Sequence, residues 1–266
     1  MVSHTREPHT MNLGIDGRSA LVFGGSKGLG YACAQHLTAA GVNVCIAART
    51  ESTLIEAARR LGEATGRPVQ YVVADITRPE GRDAALQASP APDILVNNAD
   101  GWPPGNFRDW APAEWHAALD AMMVGPIEMI RRTVDGMMDR RFGRIVNIVS
   151  RSVRAPDLRL GLSSGARAGL VGFANALARE TVRHNVTINN LLPGPFATDA
   201  QRVHLEHSAR QTDTPFADLW KAREAANPAG RFGDPDELGA WCAFLASRYA
   251  GYMTGQNLLI DGGSVH

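Results

Sequence analysis

Lysine is nearly absent. Of 27 basic residues only Lys27 and Lys221 are lysines, so chemistry that needs an amine has two places to come from. Cysteine is scarce too. Cys33, Cys45 and Cys242 are odd in number and lack metal-ligand spacing, which speaks against a disulfide framework and a zinc site. They read as buried thiols of a reducing compartment, and no metal is expected. Excess charge is also missing. The 27 acidic residues balance the 27 basic ones, so electrostatics gives no reason to expect nucleic acid or an acidic membrane as partner. No stretch approaches ~18 apolar residues, the length a membrane span requires. Residues 1–10 are polar and have no apolar signal core. Residues 1–11 are expected to be a disordered extension, with Met11 as an alternative start, and the protein is expected to be cytoplasmic.

What is present is an alternation of short apolar runs and longer helical patterns. Strands are predicted at 19–23, 43–47, 69–74, 94–96, 144–149, 187–191 and 257–260. Several are apolar throughout, as parallel strands covered on both faces should be. Thr50 can cap a helix carrying Leu54, Ala57, Ala58 and Leu61 on one face. Another helix follows Pro235. The βαβα order implies an α/β fold: a doubly wound Rossmann domain over 12–266 with a parallel sheet of about seven strands. Residues 198–228 mix charge, His and Pro, and are expected to form a lid over a site.

The first strand runs into Gly24, Gly25, Ser26, Lys27, Gly28, Leu29 and Gly30, followed by a helical pattern. A glycine turn between strand and helix lets backbone N–H groups approach a pyrophosphate, and the helix N-terminus adds partial positive charge. The second strand tests which dinucleotide fits. Sheets that bind NAD usually end it with an acid that bonds the ribose hydroxyls. Here Ala48 and Arg49 stand there. A guanidinium can pair with a 2′-phosphate as a fork, and Ser26 and Lys27 can point the same way. NADP(H) is therefore preferred, with NAD(H) as the alternative.

With these motifs in order, the chain resembles the short-chain dehydrogenase/reductase family from Asn12 to His266. The glycine turn matches, with Gly24 where the family usually has Thr. Asp75, followed by Ile76, matches an Asp that contacts adenine. Asn97, Asn98 and Ala99 match the family's NNAG, but Asp100 replaces its glycine. Pro193, Gly194 and Thr198 match PGxxxT, which implies Thr198 as a carboxamide contact. The segment around Pro103, Pro104 and Gly105 is similar to β-ketoacyl reductases. The resemblance implies cofactor contacts at Gly24, Ser26, Lys27, Gly28, Leu29, Gly30, Arg49, Asp75, Ile76, Asn98, Ala99, Arg167, Pro193, Gly194 and Thr198.

Against that family's catalytic Asn, Ser, Tyr and Lys, the chain offers Met122, Ser150, Ser163 and Arg167. No tyrosine lies between Tyr71 and Tyr249, and no lysine between Lys27 and Lys221. A serine hydroxyl is far less acidic than a phenol, and a guanidinium cannot shuttle protons. The expected catalytic set is Ser150 and Ser163 polarising a carbonyl, with Arg167 orienting the ribose and stabilising negative charge. The proton comes through water or from Asp100 or Asp157. Ser163 capping the long helix predicted over 164–180 is an equal alternative.

Arg151, Arg154 and Arg159 surround Asp157 after the fifth predicted strand, so an anionic substrate and a solvated surface both stay open. His204 and His207 are candidate acid–base groups, and Trp102, Trp110 and Trp115 read as packing. The resemblance also implies a homodimer or homotetramer. Three functions remain: an NADP(H)-dependent oxidoreductase acting on a carbonyl or alcohol, a non-redox lyase or isomerase, and an inactive nucleotide-binding subunit.

Overall fold

The computed structural model describes residues 11–265, so all of the extension expected over 1–11 except Met11 lies outside the described residues. Seven parallel strands form one sheet in the order β3-β2-β1-β4-β5-β6-β7. They are β1 (Ser19–Phe23), β2 (Asn43–Ala48), β3 (Gln70–Val73), β4 (Ile94–Asn98), β5 (Gly143–Ile148), β6 (Val186–Pro193) and β7 (Asn257–Ile260). All seven predicted strands exist. The main errors are at their ends: β4 runs two residues further and β6 reaches Pro193. Those additions carry Asn97, Asn98 and Pro193, polar or imino residues that a search for apolar runs discards.

Alternation along each strand feeds two cores. Val22, Ile46, Ile94 and Val96 face α1 (Gly28–Ala39), α2 (Glu51–Thr65) and α9 (Pro235–Ala246). Leu21, Cys45, Leu95, Ile145 and Ile188 face α3 (Pro79–Ala88), α5 (Gly125–Asp139) and α6 (Gly161–Thr181). Both faces being dry explains why the strand sequences read as unbroken apolar runs. Burial of apolar side chains on both faces is the main driving force holding the sheet between its helices.

Local chemistry sets the helix ends. Thr50 is the N-cap residue of α2, but its side chain bonds no backbone N–H. α9 begins at Pro235, and Asp234 with Glu237 completes a reciprocal capping box. The segment expected as a lid folds into α7 (Asp199–Thr212) and α8 (Phe216–Ala225). α7 buries only Leu205 and α8 buries no residue. The strand order reverses between β1 and β4, since β2 lies outside β1 and β5 outside β4. That switch point, at the carboxyl ends of the strands, is where open α/β sheets form a crevice for ligands.

Candidate active site

The glycine turn leaves β1 at the switch point. Gly24 has φ +62, a left-handed backbone that favours glycine. A Cβ on Gly30 would collide with the Gly24 carbonyl, so the turn closes only without side chains there. Lys27 is the N-cap of α1 in extended conformation, and no side chain caps the first turn. Its N–H groups are therefore free to meet an anion. Asn98 braces the turn from β4, donating Nδ2–H to the Gly24 carbonyl at 3.4 Å. Thr198 approaches from the other side: a Cβ on Gly28 would stand 3.5 Å from its Cγ2. Thr198 Oγ1 itself caps α7 by accepting from Gln201 N–H. Pro193 ends β6, and Gly194 N–H donates to the Ile260 carbonyl. The cradle fits a dinucleotide pyrophosphate.

The adenosine side is more occupied than expected. Arg49 and Asp100 form an ion pair of 2.6 Å with both side chains exposed. Asp75 accepts from the Thr77 N–H at 2.9 Å and hydroxyl at 2.7 Å. Partial burial pushes its carboxyl up, but the Thr77 bonds and the charges of Arg49 and Arg78 win and hold it below the usual range. Ile76 is buried, and its carbonyl accepts from Arg82 at 2.8 Å. The Leu29 side chain packs partly against the core, which leaves its backbone N–H for an anion.

The structure brings Ser150, Ser163 and Arg167 to the ends of β4 and β5, but engages them differently. Ser150 leaves β5 in extended conformation and caps the short turn Arg151–Val153. Its Oγ accepts from Ser152 N–H at 3.1 Å and from Ser152 Oγ–H at 2.9 Å. Its own hydrogen is left to donate. Ser163 is buried. Its Oγ accepts from Trp102 N–H at 2.9 Å and contacts Met122 Sδ at 3.5 Å. It does not cap α6, which starts at Gly161 with Leu160 as N-cap. The helix is one turn longer than its apolar pattern, because Leu162 and Ser163 are anchored by the Trp102 loop. Both sides of the hydroxyl for which a carbonyl-polarising role is expected thus have partners inside the protein.

Arg167 lies buried beneath the sheet ends. It donates to the carbonyls of Ile148 and Ala99, each at 2.9 Å, and so ties β5 to the segment after β4. Burial pulls its guanidinium down to about 10, with Asp100 acting the other way. It stays charged at neutral pH. Two of its five N–H donors are spent on these carbonyls.

The proposed proton donors also change. Asp157 accepts from Arg159 N–H at 2.9 Å; that bond and the Arg159 charge hold it ionised despite partial burial. Asp100 is occupied by Arg49. His204 is exposed, and burial of part of its ring together with Arg223, His207 and Arg159 lowers its pKa, favouring the neutral form. The Tyr249 hydroxyl accepts from Arg248, and Tyr252 is fully exposed. Trp110 and Trp115 pack edge to face at 6.0 Å beside a small core of Ala118, Met122, Leu162 and Ala166.

Two features escaped the sequence reading. Met122 sits on a π-helical turn, Asp120–Val124, a wide turn often kept at functional sites. Asn97, Asn147 and Asn190 pair side by side across β4, β5 and β6 at 2.9 Å each, and Asn190 also donates to Asn175 and Asn257. Only the register of three strands reveals that ladder; the residues are about 45 apart in the chain. Among the described residues no group of three or more His, Cys, Asp or Glu could hold a metal ion, and no helix is long and apolar enough to cross a membrane.

A doubly wound sheet with an uncapped glycine turn at its switch point defines a dinucleotide-binding protein. The family described as enoyl-(acyl carrier protein) reductase matches residues 24–265, and the chain belongs to the short-chain dehydrogenase/reductase family. It is 34% identical over 248 residues to an acetoacetyl-CoA reductase from Shinella zoogloeoides, covering 92% of this chain and 98% of that one. It is 31% identical to a 3-oxoacyl-(acyl-carrier-protein) reductase from Vibrio cholerae, covering 94% and 98%. The L-sorbose reductase of Gluconobacter frateurii, solved with NADPH and L-sorbose, superposes with a TM-score of 0.91 at 28% identity, covering 96% and 99%.

Proposed function

We propose that the chain is an NADP(H)-dependent oxidoreductase acting on a carbonyl or alcohol substrate. The observation that carries this is the glycine turn: its first helical turn has free N–H groups, it faces Thr198, and Arg49 stands at the end of β2. Relatives crystallised with NADPH or NADP support the choice of coenzyme. Bound there, NADPH would supply the hydride that the carbonyl carbon takes up, with the proton on the oxygen coming from water.

The chain's own residues do the rest. Gly24, Gly28 and Gly30 let the backbone meet the pyrophosphate. Arg49 pairs with the 2′-phosphate once released from Asp100. Ser150 donates its hydroxyl hydrogen to the carbonyl oxygen. Arg167 places a fixed positive charge, with unused N–H donors, at the sheet ends where the ribose and the developing oxyanion lie. Ser163 acts as a positioning residue by fixing the Trp102 loop. α6 turns Gly165, Ala168, Gly172 and Ala176 outward, with Phe173 and Leu177 half-buried beside them, which favours pairing of two copies along this helix.

The test is fluorescence titration with NADPH and NADH, followed by a carbonyl screen that follows the absorbance of the reduced coenzyme. Tight NADPH binding with turnover of a carbonyl compound supports the reading. Failure to bind either coenzyme overturns it. A second reading, a nucleotide-binding subunit without turnover, draws on the internal bonding of Ser163 and Arg167. It predicts coenzyme binding that survives, no turnover in the screen, and no effect of Ser150→Ala.

A further inference from the structure

A cavity of about 290 Å³ opens beneath α8, lined by Arg151, Pro195, Arg223, Asn227 and Ser264 among others. Two of these residues connect it to the reacting end. Arg151 directly follows Ser150 at the end of β5, and Pro195 directly follows Gly194 at the end of β6. These two residues set the cavity beside the carboxyl ends of β5 and β6, the side of the sheet from which Ser150 also leaves. Its size lies at the small end of ligand pockets, ~300–1,000 Å³.

Its charge is one-sided. Partial desolvation, followed by Arg151 and Arg159 as like charges, lowers the pKa of Arg223. His204 feels Arg223 and Arg159 in the same way. Asp157 is the acid that reaches both Arg223 and Arg151, and it is already bonded to Arg159. Among the described residues Arg151 and Arg223 have no ion-pair partner. Two guanidiniums at one concave wall repel each other until an anion enters between them. An oxyanion accepts from both through charge-assisted bonds.

We infer that this cavity takes an oxyanion of the substrate: a small oxo compound bearing a carboxylate or a phosphate, held between Arg151 and Arg223 while its carbonyl faces Ser150. The inference rests on the oxidoreductase reading for the role of Ser150, but not for the arginine pair itself. The second helix of the lid segment, α8, contributes one of the two clamps, so the anion bridges α8 to the sheet.

The experiment is calorimetric titration of the full chain, with and without NADPH. The probes are acetoacetate, levulinate and dihydroxyacetone phosphate, alongside the methyl esters of the two acids. The expected result is that at least one anionic probe binds about 10-fold or more tighter than the neutral esters. Arg151→Gln and Arg223→Gln should each lose about 10-fold for that probe, with Arg223→Lys recovering part of the loss. The preferred probe then distinguishes carboxylate from phosphate. Thermal melts of the variants, and NADPH titrations that match the unaltered protein, separate loss of the clamp from loss of the fold. Equal binding of acids and esters overturns the inference. So does absence of binding by every probe, or anion binding indifferent to both substitutions. Arginine-dependent anion binding in a protein that never binds NADPH upholds the clamp while striking down the coenzyme reading.

Discussion

The Arg49 guanidinium and the Asp100 carboxylate meet at 2.6 Å across the end of β1, one rooted after β2 and the other after β4. The pair spans the crevice in which an adenosine ribose would lie. Both groups are exposed, so water and salt screen their attraction to a small net value. Asp100 nevertheless competes with a 2′-phosphate for the same cation and repels it.

Asp100→Asn should therefore tighten NADPH binding by up to about 5-fold and leave NADH nearly unchanged. Arg49→Gln should weaken NADPH by about 10-fold and again spare NADH. Fluorescence titrations with both coenzymes check the pair. Equal effects on NADPH and NADH would show that the 2′-phosphate does not reach Arg49.

Arg167 holds two strand-end carbonyls in the interior. Arg167→Met leaves both without their donors, and a buried unmet carbonyl is costly. Unfolding in urea should show a loss of about 2–4 kcal/mol. Arg167→Lys, with a single ammonium, should fall between the two. A methionine variant as stable as the parent would mean that the carbonyls find water instead.

Gly30→Ala places a methyl group against the Gly24 carbonyl. Backbone, unlike a flexible side chain, yields little, so the turn must open. The expected result is loss of NADPH binding with destabilisation of about 1–3 kcal/mol. Gly66→Ala is the control. It has φ +70 but nothing within 4 Å, so it should cost stability without touching the coenzyme.

Glu237 is held down to about 2 by its bonds to Arg231 and to the Asp234 N–H in the α9 capping box. A carboxyl with a depressed folded pKa stabilises the fold above its unfolded value, ~4.3, and that contribution is lost as pH falls toward 2. Glu237→Gln should flatten the stability curve between pH ~4.3 and ~2, with the difference from the parent largest above that window. Denaturation midpoints measured across the window check the sign. Parallel curves for the two proteins would refute it.

The glycine turn, the strands and Arg49 were legible because each is a local signal. Apolar runs, glycine spacing and the residue closing β2 lie within a few positions of one another. The capping box of α9 is an equally local signal, since Asp234 and Glu237 flank Pro235 within one helical turn. The engagement of Ser163 and Arg167 was not legible in this way. Ser163 bonds Trp102, 61 residues away, and Arg167 bonds Ala99, 68 residues away. No pattern within a helix predicts those partners.

Composition and periodicity thus determined a doubly wound sheet with a dinucleotide turn, since burial on two faces and a side-chain-free turn write themselves into neighbouring residues. Tertiary structure alone decided which groups are spent and which are free. It paired Arg49 with Asp100, turned Ser163 into a latch, lined up three asparagines across three strands, and brought Arg151 and Arg223 to one cavity. Hydrogen bonds and charges act through space over a few ångströms, and the chain brings such neighbours together from segments that its linear order keeps far apart.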